Sequence, residues 1–285
     1  MERFSIRPSL SDECGKMQKV RKGVVPAAGL GTRLYPMSRA YPKEMLLIGD
    51  KPMIYYTVLE AALSGLEEIY VVISKHKDTL RNYLEGEGLV KDLWENAGKK
   101  GVQPPVVRFV EQPLPRGSGE AIYGTKDMLA GEPFAVMMPD RILFGTAPAL
   151  HQIIPVCERG VTDVLGVLAV DSKDARGFGN VGILEVEHVA HGIVEVHSFS
   201  SKSKAPLIPE EGQTFFKYAG RGIFGPHFFS YLEKTRGEPE EWDDTPAIQA
   251  MLRDRRVLGK ILDGTGFDVG NPTGYRLANK RVNDQ

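Results

Sequence analysis

Apolar residues from Val20 to Ala28 run into a glycine-rich turn at Gly29 and Gly31, the pattern of a buried strand that delivers a ligand loop. Beyond the loop, Ile54, Val58, Ala61 and Ala62 recur at helical spacing between Met53 and Leu63, and Gly65 stands as a stop signal before the apolar run Ile69 to Ile73. The chain therefore predicts strand, helix, strand. The alternation continues with a strand at Val106 to Val110, a helix from Gly119 to Leu129, a strand at Phe134 to Met138 and, after another helix, a strand at Asp163 to Val170. Repeated βαβ units predict an α/β fold of three layers, Rossmann-like, with a mostly parallel mixed sheet flanked by helices. Past Val170, strand-like runs at Val181 to Val186, Ile193 to Phe199 and Tyr218 to Phe224 follow one another without helices, which predicts a small antiparallel β insertion. Helices resume at Pro226 to Lys234 and Pro246 to Arg253, with Thr245 as the expected cap of the second. A strand at Val257 to Leu262 and a helix from Pro272 close the chain.

Composition narrows the function classes. The 285 residues carry 36 Lys and Arg against 37 Asp and Glu, a formal charge of −1, which excludes a simple polybasic nucleic-acid binder. With 42% apolar and 26% charged residues the chain has the balance of a folded domain. No stretch reaches the roughly 20 apolar residues of a membrane span, and the first residues lack the apolar middle of a signal peptide. A cytoplasmic protein without membrane or nucleic-acid partners is expected. Cys14 and Cys157 lie far apart with no CxxC spacing, so two reduced thiols are expected rather than a disulfide or zinc site. Residues 1–19 read as a loose tail and 20–285 as one domain.

The chemistry concentrates after the first strand, in Ala27-Ala28-Gly29-Leu30-Gly31-Thr32-Arg33-Leu34, followed by Tyr41-Pro42-Lys43-Glu44-Met45-Leu46. Paired glycines let backbone N–H groups approach phosphate oxygens, and an arginine two residues on can grip the same oxygens with its planar fork. The loop is no Walker loop, and Leu34 occupies the third glycine position of a dinucleotide fingerprint. On their own, Gly29 and Gly31 also fit a plain chain turn. Asp140 ends the strand at Phe134 to Met138, and Asp268 lies between glycines after the last predicted strand. In open α/β sheets ligands sit beyond the carboxyl ends of the strands. Two carboxylates converging there suit Mg²⁺, while Asp140 alone also fits a turn or helix cap. Gln112 can both donate and accept, as a pyrimidine edge requires, or be a surface residue after a strand. Trp242 lines a pocket or packs, packing being the plainer role. His188, His191 and His197 lack a fourth ligand and read as exposed hairpin residues.

Taken in order, GxGTR, PKEML with Lys51-Pro52, Phe109-Val110-Glu111-Gln112, Gly117-Ser118-Gly119-Glu120-Ala121, Met138-Pro139-Asp140, Phe178-Gly179-Asn180-Val181-Gly182 and Gly266-Phe267-Asp268-Val269-Gly270 resemble the sugar-1-phosphate nucleotidylyltransferases, in particular their UTP:glucose-1-phosphate uridylyltransferase branch. The resemblance spans Val20 to Ala278. It implies attack of a sugar-phosphate oxygen on the α-phosphorus of an NTP, UTP in this branch, with loss of pyrophosphate and formation of an NDP-sugar. It implies that Arg33 holds the departing phosphates, that Lys43 reaches oxygens near the reacting centre, and that Asp140 and Asp268 bind Mg²⁺. Ala27, Ala28, Gly29, Gly31, Thr32, Gln112 and Gly117 would contact the nucleotide, and Gly179 and Asn180 the sugar. The resemblance also implies a homodimer or homotetramer.

Two departures stand out. The branch carries Glu-Lys-Pro after the strand matching Ile193 to Phe199, with glutamate on sugar hydroxyls and lysine on the sugar phosphate. Here the chain reads Phe199-Ser200-Ser201-Lys202-Ser203-Lys204-Ala205-Pro206. Lys202 or Lys204 fills the lysine role, with Lys202 the assigned catalytic residue, but no glutamate precedes it; Glu185 or Glu195 is left as a substitute. A missing carboxylate weakens rejection of acceptors without the diol. That leaves open CTP or dTTP with another phosphorylated acceptor, a polyol phosphate, modified sugar or phosphonate. Glu240-Glu241-Trp242-Asp243-Asp244-Thr245-Pro246 also replaces the usual Glu-x-Gln-Leu-Thr-Asp run. A silent nucleotide-sugar-binding regulator is the reading from another class; retention of Arg33, Lys43, Asp140 and Asp268 together counts against it. A Rossmann oxidoreductase lacks the acidic ribose partner.

Overall fold

The computed structural model describes residues 19–96, 101–157, 163–171, 175–178, 182–200, 212–237 and 241–284. The first half runs β1 (Lys22–Pro26), a 3-10 turn (Thr32–Leu34), α1 (Met37–Ala40), a second 3-10 turn (Lys43–Met45), β2 (Leu47–Ile48), β3 (Lys51–Pro52), α2 (Met53–Leu63), β4 (Glu68–Ile73), α3 (Asp78–Glu85), α4 (Glu87–Asn96), β5 (Val106–Glu111), α5 (Ser118–Tyr123) and β6 (Phe134–Met137). The second half adds β7 (Arg141–Phe144), α6 (Ala149–Cys157), β8 (Val164–Asp171), β9 (Ile183–Ala190), β10 (Ile193–Phe199), β11 (Thr214–Phe224), α7 (Phe228–Lys234), α8 (Thr245–Asp254), β12 (Val257–Ile261), β13 (Thr265–Asp268) and α9 (Pro272–Asn283).

Nine strands form one mixed sheet in the order β5-β4-β1-β6-β11-β8-β12-β10-β9. The β5-β4-β1-β6 side is parallel, so the carboxyl ends of four strands share one rim. Alternation of side chains divides the core in two. Val25, Val71 and Ile73 face Ala61, Leu80 and Leu150, while Val24, Tyr70 and Val72 face Ile122, Leu232 and Ile248. Because both faces are covered, the strands read as continuous apolar runs in the sequence. A third, smaller cluster of Leu34, Ile48, Met53, Ile142, Val269 and Ala278 lies under the rim and joins the glycine loop to β7, the end of β13 and α9.

Local signals explain the helix ends. Gly65, at φ +77°, terminates α2 with Leu66 N–H bonding Ala61 O at 3.1 Å and Gly65 N–H bonding Ala62 O at 3.1 Å, a paired closure that left-handed glycine permits. Asn271 caps α9 by accepting from Gly274 N at 2.9 Å, with Pro272 following it.

Tertiary pairing changes several expectations. The helix expected at Gly119 to Leu129 breaks after Tyr123, and Lys126–Leu129 continues as a 3-10 turn. β11 begins at Thr214 and lies between β6 and β8, so the antiparallel strands extend the main sheet, with β9 and β10 as a hairpin at its edge. Asp268 ends a further strand, β13, which pairs with β7 in a separate two-stranded sheet. Thr245 is the first residue of α8 and Asp244 holds the cap position; its carboxylate accepts from Ser118 Oγ at 2.5 Å.

Candidate active site

The loop after β1 is built from backbone constraints. Ala27 N–H bonds Val72 O at 2.8 Å, which ties the loop to β4, and Ala27 and Ala28 are buried. A Cβ on Gly29 would meet nothing within 4 Å, whereas Gly31 has φ +69° and a Cβ there would lie 2.9 Å from Lys43 Cβ. Gly31 thus needs both the left-handed backbone and the missing side chain. Leu34 is anchored in the small cluster under the rim, and Thr32 and Arg33 on the same turn point outward, Arg33 with 54% of its side chain exposed. From beneath, Lys77 Nζ donates to Ala27 O at 2.5 Å, Gly29 O at 2.8 Å and Glu44 Oε2 at 2.7 Å. Burial pulls the Lys77 ammonium below its ordinary value, with Glu44 opposing.

Asp140 occupies the turn between β6 and β7 at the carboxyl rim. Lys43 Nζ lies 2.7 Å from its Oδ2 and Arg33 Nη2 3.5 Å from the same atom. Burial favours the protonated acid, but the charges of Lys43, Arg141 and Arg33 outweigh it and hold the carboxyl well below the usual range. Burial likewise works against the Lys43 ammonium, and Asp140 together with Glu44 more than offsets it. Arg141 is paired in register with Asp268, Val269 N–H bonds Asp140 O at 3.0 Å, and a Cβ on Gly270 would collide with Asp140 Oδ2. Asp140 and Asp268 therefore stand on neighbouring strand ends. Asp268 is fully buried; Arg141 forms an ion pair with its Oδ2 and Gly270 N–H bonds its Oδ1 at 3.2 Å.

Lys217 on β11 lies next to this pair. Its direct antiparallel partner is Leu168, so both side chains share one face of the sheet. Burial first, and then the Arg141 charge, bring the ammonium down to about 7 against the pull of Asp268. A lysine whose folded value lies below its ordinary 10.5 weakens the fold fully below about pH 7, and that cost fades as pH rises toward 10.5. Lys217→Met should raise the metal-free unfolding midpoint at pH 6 and flatten the rise of stability between about pH 7 and 10 seen in wild type. Denaturant titrations across that range measure both; an unaltered slope would assign it elsewhere.

On the opposite wall, Gln112 is only 4% exposed, so the surface-residue alternative does not hold. Its Nε2 donates to Gly117 O at 3.2 Å and Glu120 Oε2 at 2.7 Å. Gly117 has φ +133°, and a Cβ there would lie 2.5 Å from Trp242 O. Trp242 packs in the second core face, 6% exposed, its Nε1 donating to Leu232 O at 3.0 Å.

The structure thus brings Arg33, Lys43, Asp140 and Asp268 to one rim with the Ala27 to Gly31 loop, and sets Gln112 and Gly117 at the end of β5 beyond the same loop. Gly179, Asn180, Lys202, Lys204 and Cys14 lie outside the described residues. A cleft open on one side adjoins Phe267 and is lined by Leu168, Val170, Phe178, Thr265 and Leu277. Sequence reading missed Lys77, Arg141, Lys217 and Arg221, which carry no local motif. No group of three or more His, Cys, Asp or Glu side chains suited to a metal occurs among the described residues, so a cation at this rim would draw on the two aspartates and on phosphate oxygens. No described helix is long and apolar enough to cross a membrane.

A mixed sheet with a cationic, carboxylate-bearing rim over a glycine loop has the chemistry that phosphoryl transfer needs. The chain belongs to the nucleotidyl transferase family, which it matches over residues 22–285. It is 33% identical over 268 residues, 91% of each chain, to a UTP–glucose-1-phosphate uridylyltransferase of Staphylococcus epidermidis, and 32% identical over 268 residues to one of Bacillus subtilis, covering 91% of this chain and 89% of that one. Among solved structures it is similar to a UDP-glucose pyrophosphorylase complexed with UDP-glucose, with TM-score 0.78, 26% identity and coverage of 93% and 99% of the two chains. A UTP-bound enzyme from Acinetobacter baumannii aligns with TM-score 0.74 and 26% identity over 92% and 93%.

Proposed function

We propose that this protein transfers a uridylyl group from UTP to glucose 1-phosphate, releasing pyrophosphate and forming UDP-glucose. The observation that carries the reading is the Lys43–Asp140–Arg33 cluster, with contacts of 2.7 and 3.5 Å, set at the strand rim beside the loop. In this reading an acceptor phosphate oxygen bonds to the α-phosphorus of UTP while the bond from that phosphorus to the bridging oxygen breaks, and pyrophosphate takes the electron pair. Such a displacement needs aligned reactants and positive charge over the phosphoryl oxygens more than covalent help. In this reading exposed Arg33 would take the departing phosphates and Lys43 oxygens at the reacting centre.

Gln112 supports a choice of base. With its Nε2 committed to Gly117 and Glu120, Oε1 remains to accept a hydrogen bond, which suits the N3–H of uracil and not the unprotonated N3 of cytosine. Asp140 fits a magnesium ion, since its carboxyl stands at the strand rim and is held ionised by the cations around it. Asp268 would join once Arg141 releases it. The ion would supply charge neutralisation across the phosphates. Gly179 and Asn180 would contact the sugar and Lys202 its phosphate. The absence of a glutamate before Lys202 favours a second reading, the same transfer to a different phosphorylated acceptor.

Pyrophosphate release should be measured for UTP, CTP and dTTP against glucose 1-phosphate and other phosphorylated acceptors. The proposal expects UTP with glucose 1-phosphate to give the highest kcat/KM. Turnover with UTP and a different acceptor would establish the second reading, and silence with every pair would remove both.

A further inference from the structure

Arg221 is a buried arginine with no place in the reaction scheme. It is 2% exposed and faces Glu60, which is 8% exposed. Its Nε donates to both Glu60 oxygens at 3.0 Å, and its Nη2 to Glu60 Oε2 at 2.9 Å and Arg141 O at 2.8 Å. Its Nη1 donates to Met138 O at 2.7 Å and Gly220 O at 3.0 Å. The fork's donors are thereby all spent. Two of the acceptors, the carbonyls of Met138 and Arg141, flank the turn that presents Asp140.

The surrounding chain is arranged around this contact. β11 slips register against β8 between Tyr218 and Gly222, and bulges of this kind re-aim a side chain near functional sites. Within the bulge Gly220 takes φ +70°, where a Cβ would run into the Arg141 side chain. Glu60 belongs to α2, whose first residue, Met53, bonds Leu46 O at 2.9 Å, just beyond the Lys43 turn. Glu60 Oε1 also accepts from Leu150 N at 3.0 Å. One ion pair therefore connects the support of Lys43 to the support of Asp140. Stability alone accounts poorly for it, because a buried pair is no more stabilising than well-packed apolar side chains of the same volume.

We infer that Arg221, locked by Glu60, is a positioning residue for nucleotidyl transfer: it fixes the Met138–Arg141 turn so that the Asp140 carboxylate stands against Lys43 and faces the metal and phosphates. This rests on the proposed transferase reading.

Arg221→Lys keeps a charge opposite Glu60 but cannot hold both carbonyls. In the full chain it should fold, leave KM for UTP within about two-fold of wild type, lower kcat by roughly 10- to 100-fold, and weaken Mn²⁺ binding, measured calorimetrically without substrates, several-fold. Wild-type kcat per folded molecule together with wild-type Mn²⁺ affinity would overturn the inference, whatever the melting temperature. Should Arg221→Lys fail to fold, Glu60→Gln, which keeps volume and an acceptor, is read by the same two measurements. If wild type transfers no nucleotide, the functional proposal fails separately, and the Mn²⁺ comparison still decides whether Arg221 sets Asp140.

Discussion

Asp140→Asn should abolish uridylyl transfer, lowering kcat by about a thousand-fold or more, with the fold retained. The substitution keeps size and an acceptor oxygen for Lys43, so what disappears is negative charge. In the native protein that charge is secured by Lys43, Arg141 and Arg33 against burial. A carboxyl held below its ordinary 3.8 contributes stability that is complete above that pH and is lost only as pH falls through the lower folded value. At neutral pH the variant therefore loses the full contribution. Leaving Lys43 buried without its counter-charge costs about 3 kcal/mol, within the roughly 5–15 kcal/mol a domain commonly holds. Circular dichroism should show a folded protein, pyrophosphate release should be near background, and Mn²⁺ binding should be weak. Wild-type turnover in a folded Asp140→Asn protein would dismiss Asp140 as metal ligand and as organiser of the cluster.

Lys77→Met should give the largest loss of stability among single changes near the site. Glu44 is completely buried, and its Oε1 has no hydrogen-bond partner among the described residues. Lys77 supplies the compensating charge at 2.7 Å on Oε2. Removing one partner of such a pair costs about 3–5 kcal/mol, because a charge stays stranded in an apolar setting. The same ammonium draws in the carbonyls of Ala27 and Gly29, so the nucleotide loop loosens as well, and KM for UTP should rise about ten-fold, equivalent to ~1.4 kcal/mol. The double variant Lys77→Met with Glu44→Met removes the stranded carboxylate and should recover most of the stability while leaving UTP binding weak. A double variant as unstable as the single one would show that the ion pair is not the source.

The glycine loop, the Arg33 and Lys43 segment and the Asp140 turn could be located from the chain because each is a local pattern: an apolar run, then glycines, then cations within some twenty residues. The parallel half of the sheet was legible for the same reason, since buried strands alternate with helical spacing. Where β11 inserts was not, because strand order is set by long-range pairing and its edges look alike in sequence. β7 and β13 are four residues each, too short for alternation to register, so Asp268 seemed to follow the last strand. Lys77, Arg141 and Lys217 gained meaning only once pairing brought them to the rim: a single lysine in an apolar strand carries no periodic signature. Gly117 was recognised from its motif, yet its physical requirement comes from the Trp242 carbonyl, 125 positions further along the chain.

The small apolar cluster beneath the rim joins Leu34 to Ala278, and α9 grips the β2–β3 hairpin through Asn279, which accepts from Gly49 N at 2.9 Å, and Tyr275, which donates to Leu47 O at 2.7 Å. Residues more than 240 positions apart in the sequence, Leu34 and Ala278, are thus keyed into one plug. Loosening α9 should therefore be felt at the glycine loop, which the proposed reading sets against the nucleotide.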